Sequence, residues 1–143
     1  MLDDKLQGTR DRFEGVWRIE RSIRDRASGS DGDFKGQARL WRSMDGLAYH
    51  EEGLLNLGAS IGLKAERKYF WQLQVPGRID VYFDDGRFFH FFNPNENQWQ
   101  AEHICSPDHY RVAYEFRDNK NWRSIWDVSG PIKSYRMVSN YSR

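Results

Sequence analysis

Four ionisable residues of this chain stand in line with apolar side chains, where charge is costly. Arg21 alternates with Trp17, Ile19 and Ile23, and Glu51 with Leu47, Tyr49, Leu55 and Leu57. Arg67 alternates with Tyr69, Trp71 and Leu73, and His103 with Trp99, Ala101 and Cys105. In a strand, a two-residue period puts each set on one face. An unpaired buried charge costs several kcal/mol, so these groups must meet a partner, water or a ligand. One answer is an internal ion pair, Glu51 with Arg67 or with Arg21, bracing a filled core. That pairing still leaves two cations facing one anion, and an anionic ligand head would match the surplus. Arginine suits a carboxylate or phosphate because its planar fork donates two parallel hydrogen bonds.

The histidines offer a second chemistry. His103 and Cys105 are two residues apart, His90 lies in an aromatic run, and Asp108 follows closely. His103 or His90 acting with Glu51 or Asp108 would support isomerisation, cyclisation or ester hydrolysis, with Tyr69 or Tyr110 donating a hydrogen bond. Such catalysis requires an imidazole that titrates near working pH and a second group within hydrogen-bond reach. A thiol nucleophile requires a lowered pKa and an oriented base. The plainer reading makes Cys105 a small buried hydrophobe and the histidines satisfied core residues. Metal sites announce themselves by C-x-x-C or paired histidine spacings, and this chain has neither, so no metal or other cofactor is expected. A single inward histidine in an aromatic barrel is also an arrangement that serves haem, though no spacing here selects it.

The elements that would carry these residues are strands. Period-two segments cover about ten stretches, near 15–24, 33–43, 47–57, 63–75, 78–83, 87–92, 98–105, 109–117, 122–129 and 132–142. Turn signals separate them. Asp45-Gly46 and Asp85-Gly86 are two-residue hairpin signals, and all four prolines fall in connections. Only residues 2–12 have a helical pattern, weakened by Gly8. Consecutive strands with short connections favour a meander, and closure removes the exposed edges that so aromatic a sheet could not leave open. The expected fold is therefore all-β: a single antiparallel up-and-down barrel of eight to ten strands, one domain over 1–143 with residues 1–12 as a lead segment.

Composition narrows the partners. The 143 residues carry 22 Lys+Arg against 21 Asp+Glu, a formal charge of +1, which gives no general attraction to nucleic acid or anionic membrane. No apolar run approaches a membrane helix, and the polar start Met1-Leu2-Asp3-Asp4-Lys5 is unlike a signal peptide. The single cysteine fits a reducing compartment, so a cytoplasmic location is expected. Six Trp, seven Tyr and nine Phe supply much of the core.

Two resemblances sharpen the fold. Gly15-Val16-Trp17 is similar to the Gly-x-Trp signature of the lipocalin and calycin superfamily. That likeness implies that Trp17 closes the barrel base and that an arginine from the chain end packs on its indole, with Arg136 and Arg143 as candidates. More broadly, the chain resembles a domain-of-unknown-function family (6314) of short lipocalin-like barrel proteins. The likeness is carried by Phe13-Glu14-Gly15-Val16-Trp17, Tyr49-His50-Glu51-Glu52-Gly53, Arg67-Lys68-Tyr69, Phe83-Asp84-Asp85-Gly86-Arg87-Phe88-Phe89-His90 and His103-Ile104-Cys105-Ser106-Pro107-Asp108-His109-Tyr110. Trp126-Asp127-Val128-Ser129-Gly130-Pro131-Ile132-Lys133 and Tyr141-Ser142-Arg143 continue it. It implies a fold and assigns no catalytic residue.

The expected partner is a small hydrophobic or amphipathic molecule, and the expected function is binding of an amphipathic or aromatic ligand that is anionic. Arg21, Glu51 and Arg67 form the polar end, and Tyr49, Tyr69, Trp71, Trp126 and His103 the wall.

Overall fold

The computed structural model describes residues 2–143; Met1, the head of the lead segment, lies outside them. One helix, α1 (Leu2–Phe13), precedes ten strands. These are β1 (Gly15–Asp25), β2 (Ser30–Ser43), β3 (Gly46–Leu57), β4 (Ser60–Val75) and β5 (Arg78–Phe83), then β6 (Phe88–Phe92), β7 (Gln98–Cys105), β8 (Asp108–Asp118), β9 (Asn121–Ser129) and β10 (Ser134–Ser142). The ten sequence-predicted segments are the ten strands, with ends moved by a few residues.

The paired strands are antiparallel, and β1 pairs with β10, so the sheet order is β6-β5-β4-β3-β2-β1-β10-β9-β8-β7. The meander thus curls into a nearly closed barrel whose seam lies between β6 and β7, which share no ladder. Side chains stitch that seam: Trp99 Nε1 donates to the Phe91 carbonyl at 3.1 Å, and the two rings stand 5.6 Å apart.

The two-residue period survives in the burial. Trp17, Ile19 and Arg21 of β1 point inward while Val16, Arg18 and Glu20 face water. The Asp45-Gly46 signal marks a real turn for a different reason. The positive φ falls on Met44, and Gly46 is needed because a Cβ there would stand 1.9 Å from the Trp71 carbonyl oxygen.

Helix α1 closes one end of the barrel. Leu6 and Phe13, seven residues apart and hence on one helical face, are its buried residues, and Gly8 sits on the solvent side where its missing side chain costs little packing. Phe13 meets Trp71 and Trp122 edge-on at 5.4 and 6.0 Å, and its carbonyl accepts from Trp17 Nε1 at 2.9 Å. Arg143 lies over the Trp17 ring, with Cζ 4.1 Å from the centroid, and donates to the Glu14 and Arg12 carbonyls. Of the two candidates, Arg143 is the partner of Trp17; Arg136 instead pairs with Asp127 on the outer surface.

Candidate functional site

The barrel register brings the inward charges together. Glu51 lies opposite Arg67 across β3 and β4, and opposite Ala38 across β2 and β3. Arg21 faces Phe34 on β2, so the small residues Gly36 and Ala38 leave the space between Arg21 and Glu51 open. Across that space Arg21 grips Glu51 with both terminal nitrogens, at 2.7 and 3.0 Å. Its Nε donates to Ser139 Oγ at 2.6 Å, and its guanidinium covers Phe34 at 4.9 Å. Tyr49 Oη donates to Glu51 at 2.6 Å and lies 2.9 Å from Tyr141 Oη, whose ring stacks on Trp122 at 3.7 Å.

The electrostatics follow from these contacts. Burial opposes both charges of the pair, but the mutual hydrogen bonds and attraction outweigh it. Arg21 is therefore raised above its ordinary value and Glu51 held below its own. Burial pushes the Tyr49 and Tyr141 phenols up, so both stay protonated. The pair is a satisfied internal ion pair.

Arg67 differs. It sits among the barrel's inner residues yet retains solvent access, and Met137 Sδ at 3.9 Å is a weak acceptor for it. Among the described residues no carboxylate stands within ion-pair distance of Arg67. Arg67 and the Arg21–Glu51 pair border an open pocket of about 270 Å³ at the end away from α1. Toward the rim, β1 and β3 supply Ile23, Leu55 and Leu57 and β10 supplies Tyr135, with Phe34 and Met137 in the wall. The pocket is thus polar at its floor and mostly apolar above. Its two rim carboxylates have partners of their own: Asp25 accepts from the Ala27 and Ser28 amides, and Glu66 from His50 on the outer face.

Beneath the floor the barrel is nearly full. Tyr49, Tyr69, Trp71, Phe89, Tyr114, Trp122 and Trp126 enclose a chamber of only about 40 Å³. Hence Arg21, Glu51 and Arg67 lie at the pocket, whereas Tyr49, Tyr69, Trp71 and Trp126 lie below it. His103 borders neither cavity and packs edge-on against Phe83 and Phe89 near the seam. The sequence reading missed Phe34, Tyr135, Met137, Ser139 and Tyr141. Their inward alternation on the second and last strands was the available signal.

The acid–base constellation does not assemble. Among the described residues neither His90 nor His103 hydrogen-bonds to a carboxylate. His90 is 3% exposed, its Nε2 lies 2.7 Å from Tyr114 Oη, and burial first, then the nearby His103, pushes its pKa down to about 3. Cys105 is exposed rather than buried, and Asp108 lies 3.9 Å from Lys133. A tetrapyrrole does not suit these residues: no histidine borders the larger pocket, and His90 opens only on the small chamber. On the outer face His50, Glu52 and Glu66 bring ligand atoms within 4.8 Å of one another, but Lys64 and Lys68 flank Glu66 on the same strand face. Among the described residues no helix is long and apolar enough to cross a membrane.

The barrel is shared with solved structures of distant sequence. The S-type phycobiliprotein lyase CPES from Guillardia theta aligns over 100% of this chain and 93% of its own, with a TM-score of 0.66 at 8% identity. Rv2717c from M. tuberculosis aligns over 100% and 99%, with a TM-score of 0.66 at 10% identity. The redesigned β-barrel mFAP0, solved bound to DFHBI, aligns over 92% and 99%, with a TM-score of 0.51 at 11% identity. No curated protein sequence matches the chain. Residues 13–143 match the sequence profile of the family of unknown function DUF6314, and the chain belongs to that family.

Proposed function

We propose that this barrel binds a small amphipathic or aromatic acid, held head-down in the open pocket. The anionic group lies on Arg67 at the floor, and the apolar body rests against Ile23, Phe34, Leu55, Leu57 and Met137. The observation that carries this reading is Arg67 itself, a guanidinium without a carboxylate partner at the bottom of an apolar-walled pocket. Arg21 does not take that role, because its charge is already matched by the bidentate Glu51. The volume of about 270 Å³ lies near the small end of ligand pockets, so the acid is compact. That a barrel of similar fold was solved with the small molecule DFHBI is consistent with this use of the architecture. The exposed free thiol of Cys105 accords with a reducing, cytoplasmic setting.

Octanoate is a suitable probe because it is slender and singly charged. Titration followed by calorimetry is expected to show saturable binding by the wild-type protein. Arg67→Met should weaken it about tenfold, the loss of one charge-assisted hydrogen-bonded contact. Equal binding by the two proteins would refute the assignment of Arg67.

A further inference from the structure

One edge of the sheet is left open near the mouth of the barrel. Strand β4 pairs with β3 from Ser60 to Gln72, but β5 pairs with it only from Tyr69 onward. Residues 60–68 therefore overhang β5, and among the described residues no strand pairs with them on that side. Apart from half-buried Ala65 they are exposed. The edges of β6 and β7 are unpaired too, but they face each other across the seam, where Trp99 bridges them.

An open edge is a row of backbone donors and acceptors ready to pair with another chain. The register shows which of them point outward. In an antiparallel ladder the amide and carbonyl of one residue point to the same neighbour, and those of the next residue point the other way. Leu73 N–H donates to the Asp45 carbonyl at 3.1 Å, continuing the register that sets Gly46 opposite Gln72. Counting back from Leu73, Arg67, Ala65 and Leu63 turn their backbone groups to β3, and Lys64 and Glu66 turn theirs to the open side. Gly62, with φ 69°, ends the extended run at one end, and β5 blocks it at Tyr69.

The side chains select what can pair there. Among the described residues Lys64 has no carboxylate within ion-pair distance. Glu66 accepts from His50 at 2.8 Å, yet it stands directly opposite Glu52, a like charge, so a cation on its open side is favoured. A second copy of β4, run antiparallel about Ala65, supplies that cation. It sets Lys64 opposite Glu66 of the partner subunit, and Glu66 opposite Lys64 of the partner subunit. These are the residues whose backbone groups face outward, so each such pair exchanges two N–H···O bonds. The two Ala65 residues meet at the axis, where side chains approach most closely and a methyl group fits. Other registers are worse. An axis at Glu66 opposes the two glutamates to each other and Lys64 to Lys68, and an axis at Arg67 opposes two arginines.

Independently of what the pocket holds, we infer that this chain forms a two-fold dimer by pairing the β4 edges of two copies about Ala65. One sheet then runs through both barrels. On the inward face, Leu63 of the partner subunit stands opposite Arg67, so each copy adds an apolar side chain beside the other's pocket. The contact is small, so the dimer is weak and concentration-dependent.

Sedimentation velocity of the full chain, from micromolar to millimolar concentration, tests this. The wild-type protein should shift from monomer toward dimer as concentration rises. Lys64→Glu sets like charges together at both ends of the contact and should weaken the dimer about tenfold or more. The same should hold for Glu66→Lys. Combining the two substitutions exchanges the charges and should restore association to within about threefold of wild type. Both residues are exposed, so the variants keep the barrel. A wild-type protein that stays monomeric at millimolar concentration overturns the inference. So does a dimer that Lys64→Glu leaves intact, or one that the combined substitution fails to restore.

Discussion

Replacing Glu51 by glutamine tests whether the Arg21–Glu51 pair holds the barrel together. The substitution keeps the shape and removes the charge. In the native protein, Glu51 accepts two hydrogen bonds from Arg21 and one from Tyr49, and Glu51 and Arg21 are only 2% and 8% exposed. A glutamine offers one acceptor oxygen and turns an NH₂ group toward a donor that cannot accept. Arg21 would be left charged, enclosed and half-satisfied. Breaking a buried pair in this way costs about 3–5 kcal/mol. At about 2 kcal/mol per molar of urea, that lowers the unfolding midpoint by roughly 1.5–2.5 M. Urea denaturation followed by tryptophan fluorescence measures it. A companion double substitution, Arg21→Met with Glu51→Leu, removes both charges and should recover most of the loss, because an apolar pair of similar volume avoids the desolvation cost. A midpoint moved by less than about 0.5 M in Glu51→Gln would show that the pair does not bear the load assigned to it.

Other expectations follow from the same contacts. His90 is neutral in the folded protein down to about pH 3, whereas the unfolded chain takes up a proton below about 6.5. The unfolded state therefore binds more protons in that window, and stability falls as pH drops from about 6 toward 3, by about 1.4 kcal/mol per pH unit from this one group. Denaturation midpoints at pH 6, 5 and 4 should show a shallower slope in His90→Gln, and parallel slopes would contradict the neutral assignment. At the other end of the barrel, Arg143→Ala should lower stability by about 1–2 kcal/mol, since it removes the cation over Trp17 and two hydrogen bonds to helix-end carbonyls. A thermal melt unchanged by that substitution would show the contact to be ornamental.

Local pattern told most of the architecture. The alternation Trp17-Ile19-Arg21, the turn at Asp85-Gly86 with Gly86 at φ 89°, and the prolines kept to connections all concern neighbours in sequence. They do not depend on how the chain ends meet. The candidate site was legible in part for the same reason. Arg21, Glu51 and Arg67 each break an apolar line, and the surplus of one cation follows from counting. Which arginine takes Glu51 was not legible. That choice depends on Gly36 and Ala38 clearing the inner face of β2, and on the pairing of β1 with β10, which sets Ser139 opposite Arg21. Alternation places Met137, Ser139 and Tyr141 on one face of the last strand, but a ladder closed between residues 118 positions apart has no local signature, so nothing in the sequence sets that face against Arg21. His103 shows the opposite case. Its alternation read correctly as inward, but β6 and β7 do not pair, and at that seam the ring packs on Phe83 and Phe89 instead of reaching a cavity. Volume is the other quantity that pattern cannot supply. The aromatic wall turned out to fill the barrel beneath the pocket rather than line a wide one.

Native mass spectrometry of gently purified wild-type and Arg67→Met proteins, each beside a denatured control, shows whether Arg67 holds a ligand. A small acid should be bound to the wild-type protein, lost on denaturation and absent from Arg67→Met, with the two proteins unfolding at similar urea concentrations. An acid retained equally by both would contradict that role of Arg67. So would an Arg67→Met protein destabilised as severely as Glu51→Gln, because Arg67 would then be serving the fold rather than a ligand.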